Sequence, residues 1–394
     1  MIKKTKKNLL LVNQSIGSLF NDVVFESSIN HKVTIFYGSS NQHKYNGIIT
    51  HKSKKYNNKT ILKRFYTWIF FTIDLIRFLY LKNNKFQKIL FVTNPPFAPL
   101  IGIIGGSSYS IFIFDLYPEI IENRYPRITK ILPCKLFIKI WIKLNQISFN
   151  KAEYVFTLSN EMSLSLKRYI KEESDWENKV KLIKPWFSIN ENIGNKFIKN
   201  SFKEKFSDKK RLLISYSGNI GISHPIEFII QSIPLISKHA KFIIVSNGSR
   251  FNKLKDMARK LGIKKKDLYF IKTLNEKEYL KSLDAIDLSI VALDKFASKE
   301  SIPSKTFNSL LFGKPILGLS YKDSSLANLI KKYKCGINIE PKYKNLNFLI
   351  ENLKTLNNKR MELEILSSNA KKASKDFSKK NVKKLMSYWI NDEN

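Results

Sequence analysis

The sequence is poor in cysteine and in acidic residues. Its 394 residues include only 2 cysteines, and 32 Asp and Glu side chains stand against 69 Lys and Arg, so the formal net charge is +37. Cys134 and Cys335 cannot form a disulfide scaffold, which predicts a reducing, cytoplasmic compartment. The positive balance is typical of proteins with an anionic partner such as phosphate, acidic lipid or nucleic acid, although Lys and Asn in spacers account for part of it.

Several catalytic signatures are missing as well. The sequence has no Asp-x-Asp pair, no Walker A sequence, no Cys/His zinc spacing and no Gly-x-Ser-x-Gly. These absences exclude the familiar metal–nucleotide, P-loop, zinc and serine-hydrolase sites. Of the 5 histidines, only His224 lies beside a candidate site.

No apolar run in the sequence has the pattern of a membrane span or an export signal. The uncharged run 89–114 is long enough to cross a bilayer, but three prolines and three glycines divide it into a strand, a proline-led helix and another strand. The apolar run at 9–12 is too short for a signal peptide, so it predicts a buried first strand.

Short apolar, β-rich runs alternate with helical patterns in both halves of the chain. Apolar strands separated by helices are typical of parallel sheets that are covered on both faces. The sequence therefore predicts an α/β fold with two Rossmann-like, doubly wound domains facing a central cleft, where such sheets bind ligands. Strands are predicted at 8–12, 31–37, 89–93, 110–114, 154–158, 181–183, 212–217, 241–246, 268–271, 288–293 and 315–319.

A polar segment divides the two predicted domains. The first domain spans 1–190, a linker rich in Asn and Lys spans 191–210, and the second domain spans 211–376. The C-terminal segment 377–394 has apolar residues at helical spacing and is expected to pack back on the first domain.

Two stretches, 61–81 and 136–144, are basic and rich in aromatic residues. In the second, lysines recur every four residues and share one helix face: Lys135, Lys139 and Lys143. Such helices often lie in the interface of anionic bilayers, but an ordinary packed helix with a solvated lysine face has the same pattern. Both interpretations stay open.

Small residues follow two predicted strands of the second domain. In the segment Tyr216-Ser217-Gly218-Asn219-Ile220-Gly221, the glycines allow close approach to a ligand, and the following helix offers N–H donors to a phosphate. The segment lacks the acid of a dinucleotide fingerprint, so a tight strand-to-helix turn is the alternative. The candidate ligand-binding residues here are Gly218, Asn219, Gly221, His224 and Gly248.

A second candidate lies at 299–307, between a strand and a helix. Ser304 is expected to cap the helix, and Lys305 with the helix N–H groups suits a diphosphate. Glu300 can accept hydrogen bonds from sugar hydroxyls. The alternative is that Ser304 only caps the helix and Lys305 is an ordinary surface lysine.

The third candidate is Asp115-Leu116-Tyr117-Pro118-Glu119, directly after a predicted strand. Asp115 and Glu119 are candidate catalytic carboxylates that act as a base or orient a polar substrate. Alternatively, the acids only stabilise a helix N-terminus.

Taken in order along the chain, these motifs resemble those of one family. The resemblance rests on Asn94-Pro95-Pro96-Phe97, the Asp115–Glu119 segment, Lys184-Pro185-Trp186, Tyr216-Ser217-Gly218-Asn219, Pro303-Ser304-Lys305 and Gly313-Lys314-Pro315-Ile316. The set resembles the GT-B-fold glycosyltransferases of family 4, especially the WbuB-like bacterial enzymes, and covers almost the whole chain.

The resemblance implies a retaining, metal-independent transferase. Its C-terminal domain would bind a nucleotide-diphospho-sugar, with UDP expected over GDP, and its N-terminal domain would bind the acceptor. The acceptor would be a saccharide on a polyprenyl diphosphate, used in O-antigen, capsule or exopolysaccharide synthesis, and the transferred sugar a hexose or an N-acetylated amino sugar. The enzyme would associate peripherally with the anionic inner membrane and would not bind nucleic acid.

The resemblance also assigns roles. Glu300 matches the first acid of the family's Glu-x7-Glu signature, but Asn308 replaces the second. The family's basic pair would fall near Asn219 and His224 and is absent, and Asp115 falls where many relatives have a histidine. These departures keep a partner-dependent or inactive transferase open, beside a GT-B sugar-nucleotide 2-epimerase and, from charge alone, a nucleic-acid-binding protein.

Overall fold

The chain divides into two α/β units in its computed structural model. Unit 1 comprises Met1–Trp186 and Lys379–Asn394, and unit 2 comprises Phe187–Ser378. The structure describes residues 6–40, 45–57, 60–81, 85–187, 189, 200–208, 210–221, 224–248, 250–294 and 302–390. None of the helices within these ranges is long and apolar enough to cross a bilayer.

Unit 1 is built on a parallel sheet whose described strands run in the order β3-β2-β1-β4-β5-β6-β7. The strands are β1 (Asn8–Ile16), β2 (Lys32–Ser40), β3 (Ile49–Lys52), β4 (Lys88–Val92), β5 (Ser108–Phe112), β6 (Val155–Thr157) and β7 (Val180–Leu182). The α-helices are α1 (Ser18–Ser28), α2 (Ile61–Ile76), α3 (Glu119–Arg124), α4 (Leu132–Lys151), α5 (Asn160–Ser165), α6 (Glu173–Lys179) and, from the C-terminal segment, α15 (Lys380–Ile390). A π-helical turn at Arg77–Leu81 continues α2, and 3-10 turns lie at Ala98–Ile103, Ile128–Lys130 and Leu166–Arg168.

The sheet of unit 1 has a hydrophobic core on each face. Val12 and Phe91 pack with α2 and α4 side chains on one face, while Leu11 and Val92 pack with α1 and α15 on the other. Trp389 of α15 is fully buried in the second core. Burial on both faces explains why the central strands are continuous apolar runs.

Unit 2 repeats the architecture with the strand order β10-β9-β8-β11-β12-β13, again parallel throughout its described strands. The strands are β8 (Leu212–Ser217), β9 (Ala240–Val245), β10 (Leu268–Ile271), β11 (Leu288–Ala292), β12 (Ile316–Leu319) and β13 (Gly336–Ile339). The helices are α7 (Ser201–Phe206), α8 (Glu227–Ile236), α9 (Phe251–Lys260), α10 (Glu276–Ala285), α11 (Lys305–Leu311), α12 (Ser325–Tyr333), α13 (Leu346–Asn358) and α14 (Arg360–Ser374), with 3-10 turns at Tyr343–Asn345 and Lys375–Phe377.

The predicted fold class, two doubly wound Rossmann-like domains, is confirmed. The strand order reverses direction beside β1 in unit 1 and beside β8 in unit 2, which creates a switch point at the carboxyl ends of these strands. The candidate loops after β5, β8 and β11 therefore lie at the edge of each sheet where ligands bind in such folds.

Candidate functional site

A pocket of about 290 Å³ opens in unit 2 beside the carboxyl ends of β8 and β11. The central strands β8 and β11 are neighbours, so the loops that follow them meet at one edge of the sheet. The pocket brings together most of the predicted ligand-binding residues, namely Gly218, Asn219, Gly221, His224, Ser304 and Lys305.

The turn after β8 is held against the turn after β9. The Ser246 hydroxyl oxygen accepts hydrogen bonds from the backbone N–H groups of Ile220 and Gly248, each at 3.1 Å. A Cβ at Gly248 would lie 2.5 Å from the Ile220 nitrogen, so only glycine permits this approach. Ser246 thus fixes the backbone of the pocket, at the position where a dinucleotide site would place an acid. Gly248 contributes by allowing the two turns to pack closely.

His224 is a neutral hydrogen-bond donor in this arrangement. The Gly221 N–H donates to His224 Nδ1 at 3.2 Å, which places the ring proton on Nε2. Burial lowers the pKa of the imidazole below its ordinary value, and the charge of Asp294 acts in the opposite direction. His224 therefore offers an N–H group at neutral pH, and no positive charge.

Arg250 is a basic residue of this region that the sequence did not single out. Its Nη1 donates to the carbonyl oxygens of Gly221 at 3.2 Å and His224 at 3.5 Å, and the guanidinium also pairs with Glu227. Arg250 stands at the start of α9, so only the fold brings it to the turn after β8. It holds the pocket wall in place.

Ser304 does not cap α11, so that prediction was wrong. Its backbone is already helical, with φ −56° and ψ −28°, and its hydroxyl makes no capping hydrogen bond. A capping side chain needs an extended backbone at that residue. The Ser304 side chain is exposed at the pocket instead, where its hydroxyl can face a ligand.

Lys305 is the one ammonium or guanidinium group on the described lining of the pocket. Its Nζ lies 3.3 Å from the Ser217 hydroxyl and 5.0 Å from the centre of the Tyr279 ring. The side chain reaches solvent, but the surrounding protein lowers the pKa of its ammonium. Lys305 is therefore the group on this lining that can offer a positive charge to an anionic ligand.

Asn308 is placed deeper than the sequence suggested. It is 4% exposed, and its Nδ2 donates to the Tyr279 hydroxyl at 3.5 Å. Burial raises the pKa of Tyr279 to about 12. Asn308 therefore contacts Tyr279, the ring over which Lys305 lies. Little of the Asn308 side chain is open to a ligand.

Glu300 lies outside the described residues, so the structure does not place it. The described chain resumes at Ile302, next to the pocket-lining Pro303. The role assigned to Glu300 stays a prediction.

Asp115 lies in unit 1 on the loop between β5 and α3. The Thr93 hydroxyl holds this loop: it donates to the Asp115 carbonyl oxygen at 2.9 Å and accepts from the Phe114 N–H at 3.2 Å. The carboxyl reaches solvent, while the protein packed around it raises its pKa and the charge of Arg64 lowers it. Thr93 thus fixes the backbone at Asp115, and the exposed Asp115 side chain is open to a substrate.

Glu119 is already engaged within unit 1. Its carboxylate pairs with Arg168 at 3.1 Å and accepts a hydrogen bond from the Tyr169 hydroxyl. Burial raises the pKa of Glu119. These contacts favour the structural alternative for Glu119, an acid that stabilises the start of α3.

Comparison with known proteins finds a family match within unit 2. Residues 197–373 match the model of the family Glycosyl transferases group 1. This stretch contains the whole described pocket. A curated relative, the probable glycosyltransferase WbjE of Pseudomonas aeruginosa, is 21% identical over 265 residues, which span 66% of this chain and 64% of WbjE.

Solved structures share the fold of both units. WaaG, a glycosyltransferase involved in lipopolysaccharide biosynthesis, has 12% identity and a TM-score of 0.73, with 97% of this chain and 100% of WaaG covered. HepE of Anabaena in complex with UDP-glucose has 14% identity and a TM-score of 0.69, with 97% and 98% covered. At these identities the likeness establishes the GT-B fold and no more.

Proposed function

We propose that this protein is a retaining glycosyltransferase that moves a sugar from a nucleotide-diphospho-sugar to a lipid-linked saccharide in bacterial surface-polysaccharide synthesis. The observation that carries the proposal is the pocket of unit 2, which lies inside the match to Glycosyl transferases group 1. It combines one ammonium, exposed hydroxyls and a glycine-containing turn, the groups that bind a diphosphate.

The diphosphate would contact Lys305, Ser304 and the turn at Gly218. Glycine keeps this turn open, because a Cβ at Gly218 would lie only 3.0 Å from the Tyr216 hydroxyl oxygen. His224 Nε2–H would donate to an oxygen of the donor. The UDP-glucose complex of HepE supports UDP over GDP, and the involvement of WaaG in lipopolysaccharide biosynthesis supports the polysaccharide pathway.

The chemistry requires few protein groups. A retaining transfer develops positive charge on the sugar, and the leaving diphosphate itself can remove the proton of the acceptor hydroxyl. Glu300 would hold sugar hydroxyls, and Asp115, held by Thr93, would orient the sugar or acceptor. No step is assigned to a metal ion, and we predict that nucleotide binding is unaffected by chelators.

The acceptor side of the proposal rests on the outer surface of unit 1. Helices α2 and α4 meet through Phe65, which lies 6.2 Å from both Phe137 and Trp141 between ring centres. On either side of this contact, large apolar side chains are open to solvent, among them Leu62 at 79% and Ile140 at 52% exposed. Basic residues surround them, including Lys135, Lys139 and Lys143, which are all exposed.

We call this outer face of α2 and α4 the basic apolar surface. Trp141 itself is buried, so the aromatic stretch contributes to the core as well as to the surface. Exposed apolar side chains ringed by lysines suit the interface of an anionic bilayer. We propose peripheral binding to the inner membrane, which would bring the enzyme to a lipid-linked acceptor.

The donor assignment is tested by a thermal-shift screen of the full chain with UDP, GDP and CMP, with and without a chelator. We expect UDP to raise the melting temperature most, because a ligand that binds only the folded state stabilises it. Failure of every nucleotide diphosphate to stabilise the protein at millimolar concentration would contradict the proposal.

A further inference from the structure

Arg64 lies in the first turn of α2, between two tyrosine side chains. Its Nη1 donates to the Tyr117 hydroxyl at 3.4 Å, and Tyr56 accepts a second hydrogen bond from its guanidinium. Trp68 lies one turn after Arg64, on the same face of the helix. Both phenol rings pack on its indole, at 5.2 Å for Tyr117 and 6.4 Å for Tyr56 between ring centres. The aromatic packing therefore fixes both hydroxyls, and the hydroxyls fix the guanidinium.

Tyr117 belongs to the loop between β5 and α3 that also carries Asp115. Thr93 holds this loop at Asp115, and the Asn145 side chain of α4 donates to the Tyr117 carbonyl oxygen at 2.6 Å. Tyr117 and Asn145 are buried, and the Tyr117 ring stacks on Trp141 at 5.9 Å between ring centres. The loop is thus fixed at two points, while the Asp115 side chain stays exposed.

Arg64 supplies a positive charge that acts on the Asp115 carboxyl. Burial raises the pKa of Asp115, and the charge of Arg64 lowers it. The two phenols beside Arg64 stay neutral, because burial raises the pKa of Tyr56 and Tyr117. In the described chain, the charged and titratable groups that act on Asp115 are thus Arg64 from α2, Tyr56 from the segment after β3, and Tyr117 from its own loop.

The attraction between Arg64 and Asp115 depends on where the phenols hold the guanidinium. Within the described residues the two groups form no direct ion pair, so the charge of Arg64 acts on the carboxyl at longer range. A charge that acts at longer range is effective only when it is kept in place and partly out of water, since solvent screens mobile surface charges. Arg64 is half-buried and held by two hydroxyls, which meets both conditions.

We propose that Arg64 is a positioning residue for Asp115, whose clamped guanidinium keeps Asp115 a carboxylate that can accept hydrogen bonds from hydroxyls of the sugar or acceptor. The inference rests on the proposed function, which gives Asp115 its part in the transfer. An ionised carboxyl only accepts hydrogen bonds, whereas a protonated one also donates and would hold a hydroxyl differently. Arginine suits this position, because its planar fork can contact two hydroxyls at once and stays charged at every working pH.

The test follows the Asp115 carboxyl by carbon NMR in the full chain labelled at the aspartate carboxyl carbon. The Asp115 resonance is the one that is missing from the spectrum of Asp115→Asn. We expect its titration to move to higher pH in Arg64→Gln, because loss of the positive charge favours the neutral acid. Arg64→Lys keeps the charge but not the fork, so its titration should lie between those of the wild type and Arg64→Gln.

Arg77→Gln is the matched control. Arg77 lies in the π-helical turn that continues α2, is exposed and lies 3.9 Å from Asp74, so its loss should leave the Asp115 titration in place. Tyr117→Phe removes only the hydroxyl that accepts from Arg64, and it should give a smaller shift in the same direction as Arg64→Gln. This variant decides the matter if Arg64→Gln does not fold.

Turnover with a UDP-sugar and a polyprenyl-diphosphate-linked saccharide shows whether the coupling serves the reaction. The pH profile of kcat/KM reports groups of the free enzyme, so its acidic limb should move in Arg64→Gln to higher pH, by the same amount as the NMR titration. In the Asp115→Asn background the same substitution should change turnover by less than about twofold, because the group through which it acts is gone. A merely structural role would lower turnover in both backgrounds.

The inference and the proposed function fail separately. An Asp115 titration that does not move in Arg64→Gln, or that moves equally in Arg77→Gln, would overturn the inference while normal UDP binding left the donor site intact. A titration that moves while the acidic limb of turnover stays in place would overturn it as well. Failure of the wild-type chain to bind any nucleotide diphosphate would instead contradict the proposed function, whatever the NMR titration shows.

Discussion

Lys305 provides the sharpest test of the donor pocket. No other lysine or arginine appears on the described lining, and its Nζ lies beside the Ser217 hydroxyl at 3.3 Å. Removing the ammonium in Lys305→Ala would leave the diphosphate without its main countercharge, while the hydroxyls and backbone N–H groups would remain.

The size of the effect follows from the exposure of the side chain. A hydrogen bond to a charged group contributes about 1.5–3 kcal/mol, and each 1.4 kcal/mol corresponds to a factor of about ten in affinity. Because Lys305 reaches solvent, its attraction is partly screened, so we expect the lower end, roughly tenfold weaker UDP binding. Higher salt should reduce the difference between wild type and variant.

The assay is isothermal titration calorimetry with UDP at two salt concentrations. Lys260→Ala is a suitable control, because Lys260 is an exposed lysine at the end of α9, away from the pocket lining. Unchanged UDP affinity in Lys305→Ala, or an equal loss in Lys260→Ala, would refute the reasoning.

Three further predictions concern other groups. Glu300→Gln and Asp115→Asn should lower turnover by on the order of a hundredfold while UDP affinity changes little, because both side chains act on the sugar or acceptor. Steady-state kinetics measures the turnover and calorimetry the UDP affinity. Lost UDP binding with normal turnover would contradict these roles. The lowered pKa of His224 means that the unfolded chain binds an extra proton, so stability should fall as pH drops from 7.5 through the ordinary imidazole range. His224→Asn can still accept a hydrogen bond from the Gly221 N–H, and the free energy of unfolding of this variant in denaturant should depend less on pH. An unchanged pH profile of stability would count against a neutral, buried His224. Serine substitutions at the exposed Phe137 and Ile140 should reduce sedimentation with anionic vesicles, and undiminished binding would argue against the basic apolar surface.

The sequence predicts the central strands better than most edge strands. Strand β8 has its predicted bounds and β11 ends one residue before its predicted end, because buried central parallel strands are continuous apolar runs. The edge strand β10 also has its predicted bounds, although only its first residue is buried. Strand β3 escaped prediction because most of its side chains are exposed at the sheet edge. Strand β1 continues to Ile16, beyond the predicted end, because Gln14 is buried and donates to the carbonyl oxygens of Lys54 and Thr67, partners far away in sequence.

The residues of the candidate site also differ in how well the sequence predicts them. Gly218, in the turn directly after β8, and Lys305, at the start of α11, were found because the chemistry of turns and helix starts is local. Arg250 was not assigned a role, because it is defined by its partners on another element, the turn after β8. The exposed Ser304 hydroxyl was misread as a cap because a Pro-Ser pair before a helix does not fix the backbone angles at the serine.

The most direct test of the central claim is the anomeric configuration of the transferred sugar. The full chain would be incubated with a panel of UDP- and GDP-sugars and a polyprenyl-diphosphate-linked saccharide, and the product followed by proton NMR. We predict transfer from a UDP-sugar, with the anomeric configuration of the donor retained in the product. An inverted product would contradict the mechanism, and no transfer from any nucleotide sugar across a panel of acceptors would contradict the assignment itself.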